Sequence, residues 1–269
     1  MSYEFGIIGV VYIKGGSVSI PISIVIPYEH HPLRLPLLTF CVKSLARSAQ
    51  CEICIVETGP TAYIHDHINA FREWIRKPFR YLKVFTFHPF NRAWAFNVGV
   101  KELATFEHVL LTDADLIYPP NYQNILAQTR PPAAAWNRIL YMSKEATERF
   151  LKSESLGGPY IRSTAPEKMG AAGGAMWVTK TIMNHVGGMP EKDFYGKYGE
   201  DNAFWIKLEA FGYRVGAADI TLHHLYHPNI STFVNPKRLI VHDMLRWPRE
   251  KWRMYQRNWG YVDQNQLLT

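Results

Sequence analysis

The first 117 residues alternate short β-branched runs with segments of helical period, and no other feature constrains the fold as strongly. Ile22 to Ile26 is the first run, ended by Pro27. Leu37, Cys41 and Leu45 follow at i, i+4 and i+8, one face of a helix. Ile53 to Val56 reads as a second strand, stopped by Thr58-Gly59-Pro60. Ile64, Ile68, Phe71 and Ile75 mark a second amphipathic helix that ends before Pro78. Leu82 to Phe87 is a third strand, Phe96, Val100 and Leu103 a shorter helical stripe, and Val109 to Thr112 a fourth strand. This order predicts a single α/β domain, a mostly parallel sheet with helices on both faces. Ligands of such sheets bind beyond the carboxyl ends of the strands. That singles out Pro27-Tyr28, Glu57, His88 to Arg92, and Asp113 to Asp115.

The second half is less regular. Residues 128–170 hold polar, Pro- and Gly-containing stretches that read as loops. Ala175 to Thr179 reads as a strand, Glu200 to Phe211 as a helix stopped by Gly212, and Ile220 to Leu225 as the last strand. Residues 1–22 read as an N-terminal β-hairpin extension turning at Gly15-Gly16. Their apolar run has no basic flank and breaks too early for a secretory signal or for a span of roughly 20 residues. A soluble, cytoplasmic protein is expected. Residues 242–269 form a basic, aromatic tail.

The 269 residues are 47% hydrophobic, enough for one sizeable core. Cys41, Cys51 and Cys54 are the only cysteines, so the single CxxC lacks the second pair of a zinc site and is read as core. A net charge of +7 favours anionic partners: nucleotide diphosphates, nucleic acid or acidic lipid surfaces. No nucleic-acid recognition motif accompanies the charge. Trp247, Trp252, Tyr255 and Trp259 in the tail either pack on the core or sit at the inner face of a membrane as a peripheral contact.

Three constellations carry chemistry. Asp113 and Asp115, at i and i+2 after an apolar strand, point to the same side if the strand geometry continues. A hard divalent cation suits such a pair, and loop capping is the structural alternative. His224 and His227 are spaced to reach one ion, while His223 should project to the opposite face. Imidazole nitrogen with carboxylate oxygen suits Mn²⁺, with Mg²⁺ favoured only by an all-oxygen set. Glu200 and Asp201 follow Gly199 at a helix start, positions for a capping acid or for a general base.

In order along the chain, Ile26-Pro-Tyr28, Phe90-Asn-Arg-Ala93 with Asn97-Val-Gly99, Asp113-Ala-Asp-Leu-Ile117, Gly173-Gly174, Gly199-Glu-Asp201 and His224-Leu-Tyr-His227 resemble the β-1,4-galactosyltransferase family and related bacterial chondroitin-polymerase-like GT-A enzymes. The resemblance runs from about Ser23 to about Asn235. It implies a GT-A catalytic domain over 23–241, with a nucleotide-binding half (23–117) and an acceptor-binding half (118–241). It further implies inverting transfer of a galactose- or N-acetylgalactosamine-type sugar from a UDP-sugar to a glycan or glycolipid hydroxyl. Asp115, His224 and His227 would hold Mn²⁺. Pro27, Tyr28, Glu57, Arg92 and Asp113 would line the nucleotide. Asp201 would be the base, Glu200 would hold the acceptor sugar, and Gly173-Gly174 would match the pair before the acceptor-side strand.

Four positions depart from the family pattern. Glu29 stands where the family usually has a basic residue. Lys197-Tyr198 replace a Trp-Gly, so the acceptor-stacking ring is either displaced or supplied by Tyr195. Ala171 replaces a larger residue and makes room for an N-acetyl group on the donor. A GT-A protein that binds nucleotide sugar or glycan without turnover is the alternative function.

Overall fold

The computed structural model describes residues 20–196, 199–228 and 240–268. The expected hairpin over 1–22 falls almost wholly outside the described residues, as do Lys197 and Tyr198. The chain opens with β1 (Ile22–Glu29), α1 (Arg34–Leu45), β2 (Cys51–Gly59), α2 (Ile68–Ile75) and β3 (Phe79–Phe85). It continues through α3 (Arg92–Val98), β4 (His108–Thr112), β5 (Leu116–Ile117), α4 (Tyr122–Gln128) and β6 (Ala133–Ala134). Then come β7 (Arg138–Met142), α5 (Lys144–Ser153), β8 (Tyr160–Thr164), β9 (Ala175–Thr179) and α6 (Lys180–Val186). The last elements are α7 (Glu200–Ala210), β10 (Gly216–Ala217), β11 (Thr221–His224), α8 (Ile240–Met244), α9 (Arg249–Tyr255) and β12 (Leu267–Leu268).

One eight-stranded sheet runs β10-β6-β9-β4-β1-β2-β3-β12, with its β4-β1-β2-β3 heart all parallel. β1 and β2 are buried almost throughout because helices cover both faces. Their side chains sort by parity. Ile22, Ile24, Ile26, Ile53 and Ile55 pack with Leu38, Cys41, Leu45, Ile68 and Phe71 on one face. Val25, Cys54 and Val56 pack with Phe96, Phe204 and Trp252 on the other. Gly99, in the π-helical turn after α3, lies so close to the sheet that a Cβ there would collide with the Val25 side chain. All three cysteines are free and buried.

Several expectations need correction. Pro27 does not end β1, which continues to Glu29; beyond Val25 only β2 flanks the strand, and an unflanked side tolerates a missing N–H. Residues 128–170 are not loops throughout. They contain β6, β7, α5 and β8, and β7 and β8 join β5 and β11 in a second sheet of order β5-β11-β7-β8. β8 is almost wholly exposed and so carries no apolar signature. For the tail, core packing is the reading that agrees with the structure: Trp252 and Trp259 are buried, Trp247 and Tyr255 lean on that cluster, and β12 pairs with β3 at the sheet edge. Among the described residues, no helix is long and apolar enough to cross a membrane.

Candidate active site

The chain leaves β1 to build β2 and β3 on one side, then returns to place β4 on the other. The crevice at the ends of β1 and β4 is therefore a topological switch point, where open α/β sheets bind ligands. Asn91 caps α3 by accepting from Trp94 N–H at 2.9 Å, which sets Arg92 on the first turn at this crevice. The Arg92 guanidinium is a hub for three carboxylates. Nη1 donates to both oxygens of Asp113 (2.8 and 2.7 Å), Nε to Glu200 (2.8 Å) and Nη2 to Asp201 (2.6 Å). The rigid planar fork of arginine suits this arrangement; a point-charge lysine would not. Gly173 is required beside it, because a Cβ there would collide with the Asp201 carboxylate.

One cation faces three acids here, so the cluster carries excess negative charge. Burial, then repulsion from Asp201, raises the Glu200 pKa to about 7 despite the Arg92 contact. Burial also raises Asp113, with Arg92 opposing it and Asp115 adding repulsion. Burial disfavours the Arg92 cation, but the three carboxylates outweigh it and hold the group charged.

Asp113 and Asp115 lie on the turn after β4, not on a continuing strand, and they divide. Asp113 goes to Arg92; Asp115 meets the histidines. Two pairings bring the histidines in. β11 pairs antiparallel with β5, putting His224 opposite Leu116, and Leu225 N–H donates to Asp115 O at 2.9 Å. His227 Nε2 then lies 3.0 Å from Asp115 Oδ2, and His224 Nε2 lies 3.7 Å from Oδ1. One donor atom from each residue falls within 4.8 Å of the others. His223 points away, with Nδ1 3.2 Å from the Tyr160 hydroxyl.

This triangle fits a divalent cation. Among the described residues Asp115 Oδ1 is buried without a hydrogen-bond partner, a lone pair left for a ligand. Pro228 O can only accept, so His227 Nδ1 is the donor across their 3.1 Å contact and Nε2 faces the carboxylate as a potential ligand. Burial works against an ionised Asp115, but the facing His224 and the His227 hydrogen bond hold it well below the usual carboxylate range. The Asp115 hydrogen bond correspondingly raises His227. A cation bound there would take the place of that proton.

A cavity of about 660 Å³ joins these parts, lined by Arg92, Asp113, Ala171, Gly173, Gly174, Glu200, Asp201 and His224. A smaller one of about 170 Å³ shares Arg92, Asp113 and His224 and reaches Pro27, Tyr28, Asp115 and His227. Two expected residues stand elsewhere. Glu57 is fully buried and lines neither cavity; it accepts from Tyr63 N–H (2.9 Å), Ile64 N–H (3.2 Å) and Tyr81 OH (2.5 Å), bracing the chain after β2. Tyr195 lines a separate cavity. Conversely, Arg34, Tyr141 and Arg162 line the large cavity and were not foreseen. Arg34 opens α1, 3.7 Å from Glu29, and returns a basic side chain to the region where Glu29 had displaced one. Arg162 stacks on Tyr141 at 3.8 Å, and both belong to the unforeseen second sheet.

No protein-family model matches the chain, and no curated protein matches it by sequence. Solved structures do match. S. aureus TarS 1–349 in complex with UDP-GlcNAc aligns at 13% identity and a TM-score of 0.57, over 88% of this chain and 70% of that one. GalNAc-T7 with UDP, GalNAc and Mn²⁺ aligns at 11% and 0.56, over 88% and 50%. Mannosyltransferase PcManGT from Pyrobaculum calidifontis in complex with GDP-Man and Mn²⁺ aligns at 14% and 0.52, over 87% and 73%. The chain spans 60% of TarS 1–349 in the structure with no ligand named and half of GalNAc-T7. The fold is GT-A: a single α/β domain with a mostly parallel Rossmann-like sheet.

Proposed function

We propose that the protein is a metal-dependent, inverting glycosyltransferase that moves a galactose- or N-acetylgalactosamine-type sugar from a UDP-sugar to a glycan or glycolipid hydroxyl. The observation that carries this reading is the Asp115–His224–His227 donor triangle at the β4 exit of a GT-A fold. It shares a crevice with the acid pair Glu200–Asp201. The resemblance to β-1,4-galactosyltransferases supports the same assignment of roles.

Asp115, His224 and His227 would hold the cation, and their mixed nitrogen and oxygen set favours Mn²⁺, with Mg²⁺ a weaker substitute. Bound there, it supplies Lewis-acid stabilisation to charge on the leaving diphosphate, a contribution of several kcal/mol. Arg34 and Arg162 add fixed positive charge to the cavity walls. Pro27 and Tyr28, at the end of β1, offer an apolar wall to the nucleoside. On the acceptor side Asp201 takes the hydroxyl proton, a role that contributes roughly 10²–10⁴-fold. Glu200 accepts a hydrogen bond from the acceptor sugar, and Arg92 fixes both carboxylates against Asp113. One base and one displacement invert the anomeric carbon. Ala171 leaves room for an N-acetyl group.

A nucleotide-release screen of UDP- and GDP-sugars with Mn²⁺, Mg²⁺ or EDTA tests the reading. The expected outcome is UDP release from UDP-Gal or UDP-GalNAc, highest with Mn²⁺ and abolished by EDTA. Turnover of every donor at equal rates in EDTA would sink it.

A further inference from the structure

A second cavity, of about 400 Å³, lies across a thin wall from the first. The wall is a pair of loops clamped by Gly196 N–H donating to Phe90 O at 2.7 Å. Phe90 and Gly196 face the first cavity, while Pro89, Asn91 and Tyr195 face the second. The C-terminal tail builds the far side with Tyr255, Arg257 and Tyr261. Trp94 Nε1 donates to Tyr261 O at 2.9 Å, and Gly260 N–H donates to the Glu191 carboxylate at 3.0 Å, so the walls are tied together.

Many polar groups here are already committed. Asn91 donates to Glu191 O at 2.7 Å, and Gln256 accepts from Glu191 N–H at 2.9 Å. Glu191, the one acid among the lining residues, has its carboxylate engaged by Gly260 and Asn97. Asp193, just behind, accepts from the Tyr255 hydroxyl. What stays available is of two kinds. Tyr195 and Tyr261 are 38% and 67% exposed. The side chains of Arg257 and Asn258 are exposed and have no partner among the described residues, and Lys192 adds a second exposed cation 5.9 Å from the Tyr255 ring.

Exposed aromatic faces match the apolar C–H face of a pyranose, and free amide and guanidinium donors match its oxygens. Two exposed cations, against one lining acid whose carboxylate is already held by Gly260 and Asn97, favour a saccharide that carries negative charge. We propose that this cavity is a subsite for an acidic saccharide, the part of the acceptor chain beyond the sugar held at Asp201. The proposal rests on the transferase reading, and it explains why the tail folds back beside the Phe90 and Tyr195 loops.

The test uses the full chain and saturation-transfer NMR with four probes: hexagalacturonate, a hyaluronan hexasaccharide, maltohexaose and chitohexaose. Donor-only nucleotide release is measured in parallel. The acidic hexasaccharides should bind at least severalfold tighter than the neutral ones, and the difference should shrink in high salt. Tyr261→Ala and Arg257→Gln, both at exposed positions, should each weaken acidic-saccharide binding about tenfold, the loss of one interface contact. Both should leave donor-only release unchanged. Equal binding of acidic and neutral probes, or full binding in both variants, overturns the subsite while leaving a donor-active transferase in place. Variant-sensitive saccharide binding without any nucleotide release keeps the subsite and removes the transferase reading instead.

Discussion

At the residue scale, the two aspartates of the DAD segment have separate partners: Asp113 faces an arginine and Asp115 two histidines. Asp115→Ala or His227→Ala should therefore abolish Mn²⁺-dependent nucleotide release and raise the apparent Mn²⁺ Kd, read by titration. Thermal unfolding without metal should stay close to that of the parent. Gly173→Ala is a sharper probe, because its methyl must displace the Asp201 carboxylate from Arg92. It should cut transfer to acceptor by about 10²-fold or more, the contribution of a positioned base. Donor-only release should be less affected, and an equal loss of both activities would remove Asp201 from the base role. Glu200 offers a pH test. Its folded pKa of about 7 stands above the ordinary 4.5, so the contribution is fully present below pH 4.5 and is lost as pH rises through 7. Urea unfolding at pH 5 and pH 7.5 should show a smaller drop toward high pH in Glu200→Gln than in the parent.

At the scale of elements, α9 is a seven-residue helix whose one buried side chain, Trp252, is fully enclosed beside Lys207 and Trp247. Trp252→Ala should destabilise the protein by about 3–5 kcal/mol, the usual cost of emptying a large aromatic site. The indole N–H is buried without a partner among the described residues, so Trp252→Phe removes an unsatisfied donor along with the volume. That variant should cost less than half as much in urea denaturation; equal costs would mean the indole nitrogen has a partner. The same scale explains what the sequence hid. β1, β2 and β4 are buried on both faces and announce themselves as apolar runs. β5 is two residues long and β8 is exposed, so neither has a pattern to read. Arg162, on β8, was missed with it, as was Tyr141 on the neighbouring β7. Arg34 was legible in kind, as a basic residue just after the first strand, but only its proximity to Glu29 and the cavity marks it as part of the site.

At the scale of the whole molecule, periodicity alone determined the alternating elements, the parallel sheet and the crevice at its carboxyl edge. Residue type and spacing narrowed the candidate cation donors to Asp113, Asp115, His224 and His227, and the family resemblance singled out Asp115 with the two histidines. Tertiary structure decided the rest. Arg92 and Asp201 are 109 residues apart, and no local pattern predicts that one guanidinium bridges three acids. The β5–β11 pairing, which selects Asp115 over Asp113 for the histidines, depends on the register of two very short strands. Glu57 looked like a ligand contact because it ends a strand at the binding edge, yet unpaired N–H groups of the following turn claim it first. The physical reason is common to all three. Burial patterns are written locally, whereas the partner of a buried charge is set by whichever distant groups the packed chain brings within hydrogen-bonding distance.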